Sequence, residues 1–545
     1  MDSQTDALRG ADIVARTLEA LGVSRVFTLS GNHVMPVFDA LLETGIAVVH
    51  VRQEAACVHM ADAWGRLTGE VGVALVTGGQ GHANGAAALF TALAAESPVL
   101  LLSGHAGLNE LGRGAFQELD QAAIARPMTK ASWTATAAAT LGADLARAAR
   151  IAREGRPGPV HLSLPVDLLE QRVPAGSVRI PGRAAARIRV AAPEPGLVGD
   201  LLRLLAGAER PLVVCGPALC DATGRALMEA VEERLGLPVI GMESPRGIND
   251  PSLGCLSEPL GRADLLVLAG KPLDFTLKFG AALAPDCRLA VVDPDPALIA
   301  RAPAGRLAAS GIADPRALLD AFLDAPTEHA RARDRTWARE TREALAYRPP
   351  AWADLAGGPG RLHPVALCRG VDAFLARHPE ATLVCDGGEI GQWPQALVRA
   401  GRRLVNGVSG TIGAAIPFAI AAQMERPGAP VVAVLGDGTF GFHMAEFDTA
   451  LRYGAPIIAV VGNDARWNAE HQIQLRSYGP ERARHCDLLP TRYDAVVEAL
   501  GGFGALVTEP RDLGPALEAA RASGKPACIN VMIESVPAPA IRRPA

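Results

Sequence analysis

The stretch Val431–Glu470 reads VVAVLGDGTFGFHMAEFDTALRYGAPIIAVVGNDARWNAE, and its punctuation decides the fold. Val431–Leu435 is a short, wholly apolar run, the mark of a strand buried on both faces. It stops at Gly436-Asp437-Gly438. The pattern then predicts a helix over Phe442–Tyr453, closed by Gly454 and Pro456. A second apolar run, Pro456–Val461, stops at Gly462-Asn463-Asp464. Strand, helix and strand form a βαβ unit, whose right-handed crossover puts both strand ends on one edge of the sheet. Asp437 and Asp464, 27 residues apart, are therefore expected side by side. Two carboxylates beside glycine amides suit a hard cation that bridges to phosphate.

A rival reading starts from the same residues. Gly436-Asp437-Gly438-Thr439-Phe440-Gly441 fits the G-x-G-x-x-G loop of a nicotinamide dehydrogenase. Its weakness is electrostatic: an aspartate inside the loop repels a pyrophosphate that has no metal. With Asp464 at the next strand end, a metal-bridged diphosphate is the better match.

The rest of the chain is large enough to frame such a site. At about 150 residues per domain, 545 residues make three or four domains. Aromatic residues are only 4%, so alanine, leucine and valine must fill the cores. A net charge of −5 without a basic patch argues against nucleic acid as a partner. The nine cysteines are scattered with no C-x-x-C, as expected of free thiols in a reducing cytoplasm. The N-terminal MDSQTDALRG has no apolar signal core, and no apolar run reaches membrane-spanning length. A cytoplasmic protein without membrane contact is the expectation.

Helix and strand patterns alternate along the whole chain. Asp6–Leu21 is periodic, Arg25–Leu29 is a strand, His33–Leu42 a helix and Ala47–Val51 a strand. Gln53–Leu67 reads as a helix with Glu54 in its first turn. Strands follow at Val71–Val76, Pro98–Ser103 and Val160–Pro165. Arg179–Pro195 is a linker rich in arginine, alanine and proline. Leu212–Cys215, Pro238–Met242, Leu265–Leu268 and Leu289–Val292 are the strands of a second unit without a titratable cluster. Thr327–Glu343 reads as a linking helix, and Leu383–Cys385 opens the unit that holds the quoted stretch. The fold class is α/β: three doubly wound parallel-sheet domains, over residues 1–180, 195–345 and 362–537.

Three motifs carry a family resemblance: Arg52-Gln53-Glu54-Ala55-Ala56, Phe116-Gln117-Glu118, and Gly436-Asp437-Gly438 with Asn463-Asp464. In combination they resemble the thiamine-diphosphate enzymes, the family of acetolactate synthase, pyruvate oxidase, benzaldehyde lyase and 2-hydroxyacyl-CoA lyase, from about Asp6 to Val536. The resemblance implies a pyrimidine-binding first domain, a central domain and a diphosphate-binding third domain. It implies thiamine diphosphate and Mg2+ as cofactors. Asp437, Asp464 and the main chain of Arg466 match the metal positions. Asp464 departs from the pattern, because the family usually has an asparagine there. Gly436, Gly438, Thr439, Glu389 and Ile390 match the diphosphate cradle, and Gly410 and Ile412 match the positions that hold the aminopyrimidine. Glu54 matches the glutamate that promotes the imino tautomer of that ring. His33 matches a histidine found in benzaldehyde lyase and Gln117 a glutamine near the thiazolium, so both are candidate catalytic residues. Relatives form homodimers or homotetramers with active sites at subunit interfaces, and the same is expected here. Some relatives carry FAD in the central domain; Gly216-Pro217-Ala218 is not a strong flavin loop, and FAD stays open.

The implied activity is that of a C–C bond lyase or carboligase, acetolactate synthase-like, acting on a small carbonyl substrate through an enamine. A 2-keto acid or 2-hydroxy ketone is the expected donor. Leu273–Gly280 resembles the central domain of 2-hydroxyacyl-CoA lyases, which makes that activity the alternative. A degenerate paralogue that binds the cofactor without turnover is a further alternative, opposed by the presence of Glu54.

Overall fold

The computed structural model describes residues 7–326 and 334–544. The first residue of the helix expected over Asp6–Leu21, and the first part of that expected over Thr327–Glu343, fall outside this range. Three parallel sheets dominate the structure, as the fold class requires. The N-terminal sheet has six strands in the order Ala47–His50, Arg25–Thr28, Gly72–Val76, Val99–His105, Val160–Pro165 and Ala131–Thr134. The C-terminal sheet runs Arg402–Val405, Thr382–Cys385, Val431–Gly436, Ile458–Asn463, Ala527–Met532 and Phe503–Val507. Numbered along the chain, both follow the permutation 2-1-3-4-6-5. The central sheet runs Val239–Gly241, Pro211–Cys215, Leu265–Ala269, Arg288–Val292 and Leu307–Gly311. A short antiparallel pair, Ala7–Arg9 with Arg172–Pro174, completes the strands.

The chain forms two compact units. The first takes in Met1–Arg189 together with Ile416–Pro427 and His443–Ala455. The second comprises Val190–Ala415, Gly428–Phe442 and Pro456–Ala545. Aliphatic side chains fill the cores. Val26, Val73, Leu100 and Leu162 lie within one cluster around the N-terminal sheet, and Leu383, Val432, Val460 and Ile529 within another around the C-terminal sheet.

The differences from the expected elements have physical causes. Three strands carry no continuous apolar run: Ala131–Thr134, Leu307–Gly311 and Arg402–Val405. All three are edge strands, only partly buried, and edge strands do not need two apolar faces. The helix expected over Phe442–Tyr453 is instead two helices, Asp437–His443 and Glu446–Arg452. The first springs straight from the strand at Asp437. Gly438 looks like a turn residue in sequence, but its role is close packing, since a Cβ there would lie 2.7 Å from the Trp467 ring.

Candidate active site

Open parallel sheets bind ligands beyond the carboxyl ends of their strands, where the strand order reverses. In the C-terminal sheet that point lies between Thr382–Cys385 and Val431–Gly436. A cleft lies there, open to solvent at its mouth. Asp437, Asp464, Arg466, Gly436, Gly438, Thr439, Glu389, Ile390, Gly410 and Ile412 all line it.

Local chemistry explains each placement. Asp437 is buried and accepts from the Arg466 N–H at 3.1 Å. Asn463 turns back into the sheet. Its amide donates to Thr491 O at 3.0 Å and Asn530 Oδ1 at 3.1 Å, while its Oδ1 accepts from the Ala465 N–H at 3.1 Å. That turn holds Ala465 at a left-handed φ of 57° and leaves Asp464 lining the cleft. Burial, followed by the charge of Asp437, pushes the Asp464 carboxyl up to about 7. Burial pushes Asp437 up to about 6. The Thr439 hydroxyl donates to Gly436 O at 3.0 Å and accepts from the Gly436 N–H at 3.1 Å, closing the first turn after the strand.

Asp386 is a residue that sequence reasoning passed over. Its Oδ1 accepts from the Gly387 N–H at 2.7 Å and from the Gly413 N–H at 3.0 Å. It thus ties the loop carrying Glu389 and Ile390 to the loop carrying Gly410 and Ile412. Burial pushes its carboxyl up to about 6. Its signal was present in Asp386-Gly387-Gly388, a strand-end aspartate beside glycines like Asp437.

Glu54, His33 and Gln117 belong to the first unit, around the turn Thr77–Gly81. Gln53 caps the helix Glu54–Thr68, its Oε1 accepting from the Ala55 N–H at 2.6 Å. Glu54 is the first helical residue, and its Oε2 accepts from Asn84 Nδ2 at 3.0 Å. A Cβ on Gly81 would lie 3.4 Å from the other oxygen, Oε1, and 2.8 Å from Thr77 Cγ2, so Gly81 keeps that corner open. His33 Nδ1 lies 3.3 Å from Thr77 Oγ1, and its ring stacks on Phe116 at 6.0 Å. Burial, then the charge of His105, lowers the His33 pKa below its usual value. Gln117 holds a left-handed φ of 56°, and its backbone packs so tightly on Gly79 that a Cβ there would lie 2.6 Å from Gln117 Cβ. Buried Gln121 locks this corner by accepting from the Gly79 N–H at 2.8 Å and donating to Gly104 O at 3.1 Å.

Comparison with known proteins bears on both halves. Residues 8–124 match the thiamine pyrophosphate enzyme N-terminal TPP-binding domain, and residues 386–531 match the C-terminal TPP-binding domain. A probable acetolactate synthase of Mycobacterium bovis is 34% identical over 541 residues, covering 96% of this chain and 95% of that protein. The 2-hydroxyacyl-CoA lyase 2 of Homo sapiens is 32% identical over 578 residues, covering 96% of this chain and 90% of that protein. The chain belongs to the thiamine pyrophosphate enzyme family.

A thiamine-pyrophosphate enzyme holds a polyanion, and the cleft described above is itself acidic. Glu389, Asp437, Asp464, Glu470 and Glu534 line that cleft, against only Arg246 and Arg466 as cations. The Arg466 guanidinium is engaged by Asp487 Oδ1 at 2.7 and 2.9 Å. Such a lining repels a bare diphosphate and accommodates one that arrives with a divalent cation. Among the described residues, no three or more His, Cys, Asp or Glu side chains are grouped to hold a metal ion. Two carboxylates therefore need phosphate and main-chain oxygens to complete a coordination shell. Left-handed Gly388 (φ 80°) has nothing within 4 Å of a Cβ, leaving its backbone open to a phosphate. The residues present fit the cofactor.

Proposed function

We propose that this enzyme is a C–C bond lyase or carboligase of the acetolactate synthase type, with a 2-keto acid or 2-hydroxy ketone as donor. Asp437, Asp464 and the Arg466 carbonyl hold Mg2+ against the cofactor diphosphate. Gly436, Gly438, Thr439, Glu389 and Ile390 cradle that diphosphate, while Gly410 and Ile412 support the aminopyrimidine. When bound, thiamine diphosphate supplies a nucleophilic thiazolium carbon that adds to a carbonyl and accepts the electron pair released by C–C cleavage. The observation that carries the catalytic reading is the anchoring of Glu54. One carboxylate oxygen is held by Asn84, and the other lies against Gly81. A carboxylate so placed is oriented to exchange a proton with a heterocyclic nitrogen.

His33 and Gln117 act on the substrate side. A neutral His33 imidazole both gives and takes a proton at pH 7, and the lowered pKa supports that state. The Gln117 amide is rigidly presented by its left-handed backbone and hydrogen-bonds a substrate oxygen. A 2-hydroxyacyl-CoA donor is the second reading, favoured by the human relative and by the Leu273–Gly280 loop. We further infer a homodimer or homotetramer in the cytoplasm, with Glu54 and Asp437 of one active site supplied by different subunits. A product screen of the holoenzyme with pyruvate, acetoin, benzoin and a 2-hydroxyacyl-CoA tests the donor class. Turnover of the thioester alone would replace the first reading with the second, and turnover of none would leave a cofactor-binding paralogue.

A further inference from the structure

Helix Glu446–Arg452 in the first unit turns its polar side chains onto the segment that leads into Glu54. Glu446 is almost completely buried, at 1% exposure. Its carboxylate accepts from the Arg52 N–H, at 3.0 Å through Oε1 and 3.2 Å through Oε2. The Thr449 hydroxyl donates to its Oε2 at 2.6 Å. Further along, Tyr453 Oη accepts from the His50 N–H at 2.7 Å, and Arg452 Nη2 donates to His50 O at 2.7 Å. Thus side chains of one segment satisfy the backbone of His50 and Arg52, just where edge strand Ala47–His50 turns into helix Glu54–Thr68.

We propose that Glu446 is a positioning residue for Glu54: its carboxylate clamps the turn from which the Glu54 helix starts, and so sets where the Glu54 carboxylate points. This rests on the assignment of Glu54 as the proton-exchanging carboxylate. A cap for that helix is already present in Gln53, so Glu446 is not required to satisfy the first helical turn. What it adds is a fixed position for the two residues that precede Glu54. Burying a carboxylate is costly without strong donors. Glu446 has one amide and a hydroxyl and, among the described residues, no ion pair: Arg52 pairs instead with Asp448 at 3.8 Å, and the Arg452 guanidinium acts on it only from beyond the Thr449 hydroxyl. Placing an anion there only to stabilise the fold is an expensive choice, whereas a short, charge-assisted clamp gives angular precision. Asn84 fixes Glu54 from the other side. With the clamp gone, Glu54 keeps Asn84 but loses the fixed base of its side chain.

The test uses the full-length enzyme saturated with thiamine diphosphate and Mg2+, comparing Glu446→Ala, Glu446→Gln and Glu54→Gln. Deuterium exchange at C2 of the bound cofactor reads the function of Glu54, and amide exchange of the peptide spanning 49–56 reads the clamp. Glu446→Ala is expected to slow C2 exchange about 10- to 100-fold, the scale on which a misplacement of roughly 1 Å acts. Amide exchange over 49–56 rises in parallel, and cofactor affinity, measured by titration, stays within about threefold. Glu446→Gln keeps one acceptor oxygen and recovers most of the C2 rate, which a general loss of stability would not produce. C2 exchange within about twofold of wild type in Glu446→Ala, with Glu54→Gln slow, overturns the positioning role alone. Unchanged exchange in Glu54→Gln overturns the assignment of Glu54 and this proposal with it. If Glu446→Ala does not fold, Glu446→Asp, whose carboxylate is one methylene short of the Arg52 N–H, decides. Faster amide exchange over 49–56 with slower C2 exchange supports the clamp, and both unchanged overturn it.

Discussion

The Arg466 N–H donates to Asp437 Oδ2 at 3.1 Å, so the loop that carries Asp464 is fastened to the aspartate that follows the neighbouring strand. Two carboxylates are thereby held near each other in a partly dry cleft, and each raises the cost of ionising the other.

This pairing predicts a pH dependence for metal-assisted cofactor binding. Without a cation the carboxyls titrate near 7 for Asp464 and 6 for Asp437. Protons compete with Mg2+ wherever these groups are protonated. Affinity for thiamine diphosphate with Mg2+ is therefore full above about pH 7 and falls as pH drops through about 7 and then 6. The same raised values oppose folding of the cofactor-free protein at neutral pH, a cost that starts to be relieved as pH falls through about 7 and is gone only below the ordinary value of 3.8. Asp464→Asn should then raise the melting temperature of the cofactor-free protein at pH 8, by an amount equivalent to roughly 1–3 kcal/mol. It should also shrink the further rise on adding Mg2+ and thiamine diphosphate. Calorimetry at pH 6 and 8 checks both, and a pH-independent affinity would count against the two aspartates as metal ligands.

Glu54→Gln keeps the shape and an acceptor for Asn84 but cannot exchange the proton. C2 deuterium exchange of the bound cofactor is expected to slow by about 10²- to 10⁴-fold, the usual worth of a positioned acid–base group. Affinity for thiamine diphosphate and Mg2+ should change little, because the diphosphate cleft is built from other residues. An unchanged exchange rate at saturating cofactor would sink the assignment.

The fold was readable because its central strands are buried on both faces. Val431–Leu435, Leu265–Leu268 and Leu212–Cys215 announce themselves as apolar runs, and each lies in a strand. Arg402–Val405 does not, since an edge strand has fewer neighbours to bury against. At the site, Asp437 and Asp464 were legible because glycines and apolar strands frame them. Gln121 and Glu446 were not, for they act through main-chain amides brought close only by the tertiary fold. Glu446 and Arg52 lie 394 positions apart, and no periodicity links them. Gly438 shows the converse problem. Its residue type was visible, but the reason for it, the Trp467 ring, is a tertiary fact.

His33 makes a prediction that separates substrate chemistry from cofactor activation. Its pKa lies below 6.5, chiefly because it is buried, so the neutral imidazole persists throughout the range above that value. His33→Ala should lower kcat by about 10²-fold while leaving C2 exchange and cofactor affinity untouched. Replacement should also remove any loss of activity on acidification that occurs below pH 6.5 through this group. Slow C2 exchange in His33→Ala would instead place His33 with Glu54 in activating the cofactor.

Gly438→Ala tests whether close packing at the cleft floor governs cofactor binding. The added methyl would lie 2.7 Å from one Trp467 ring carbon and 2.8 and 3.0 Å from two others, and an indole held at the start of a helix cannot yield as a flexible chain would. Either the ring moves outward or the helix Asp437–His443 shifts at its first turn. Overpacking of this kind costs about 1–3 kcal/mol, so a lower melting temperature is expected. Both escapes also displace a part of the cleft, since Asp437, Gly438, Trp467 and Asn468 all line it. Affinity for thiamine diphosphate with Mg2+ should therefore fall at least tenfold, a loss of about 1.4 kcal/mol, and the Trp467 fluorescence should shift with the new ring environment. A variant that binds the cofactor normally with an unshifted spectrum would mean that Trp467 accommodates the methyl, and Gly438 would then be required only for its backbone.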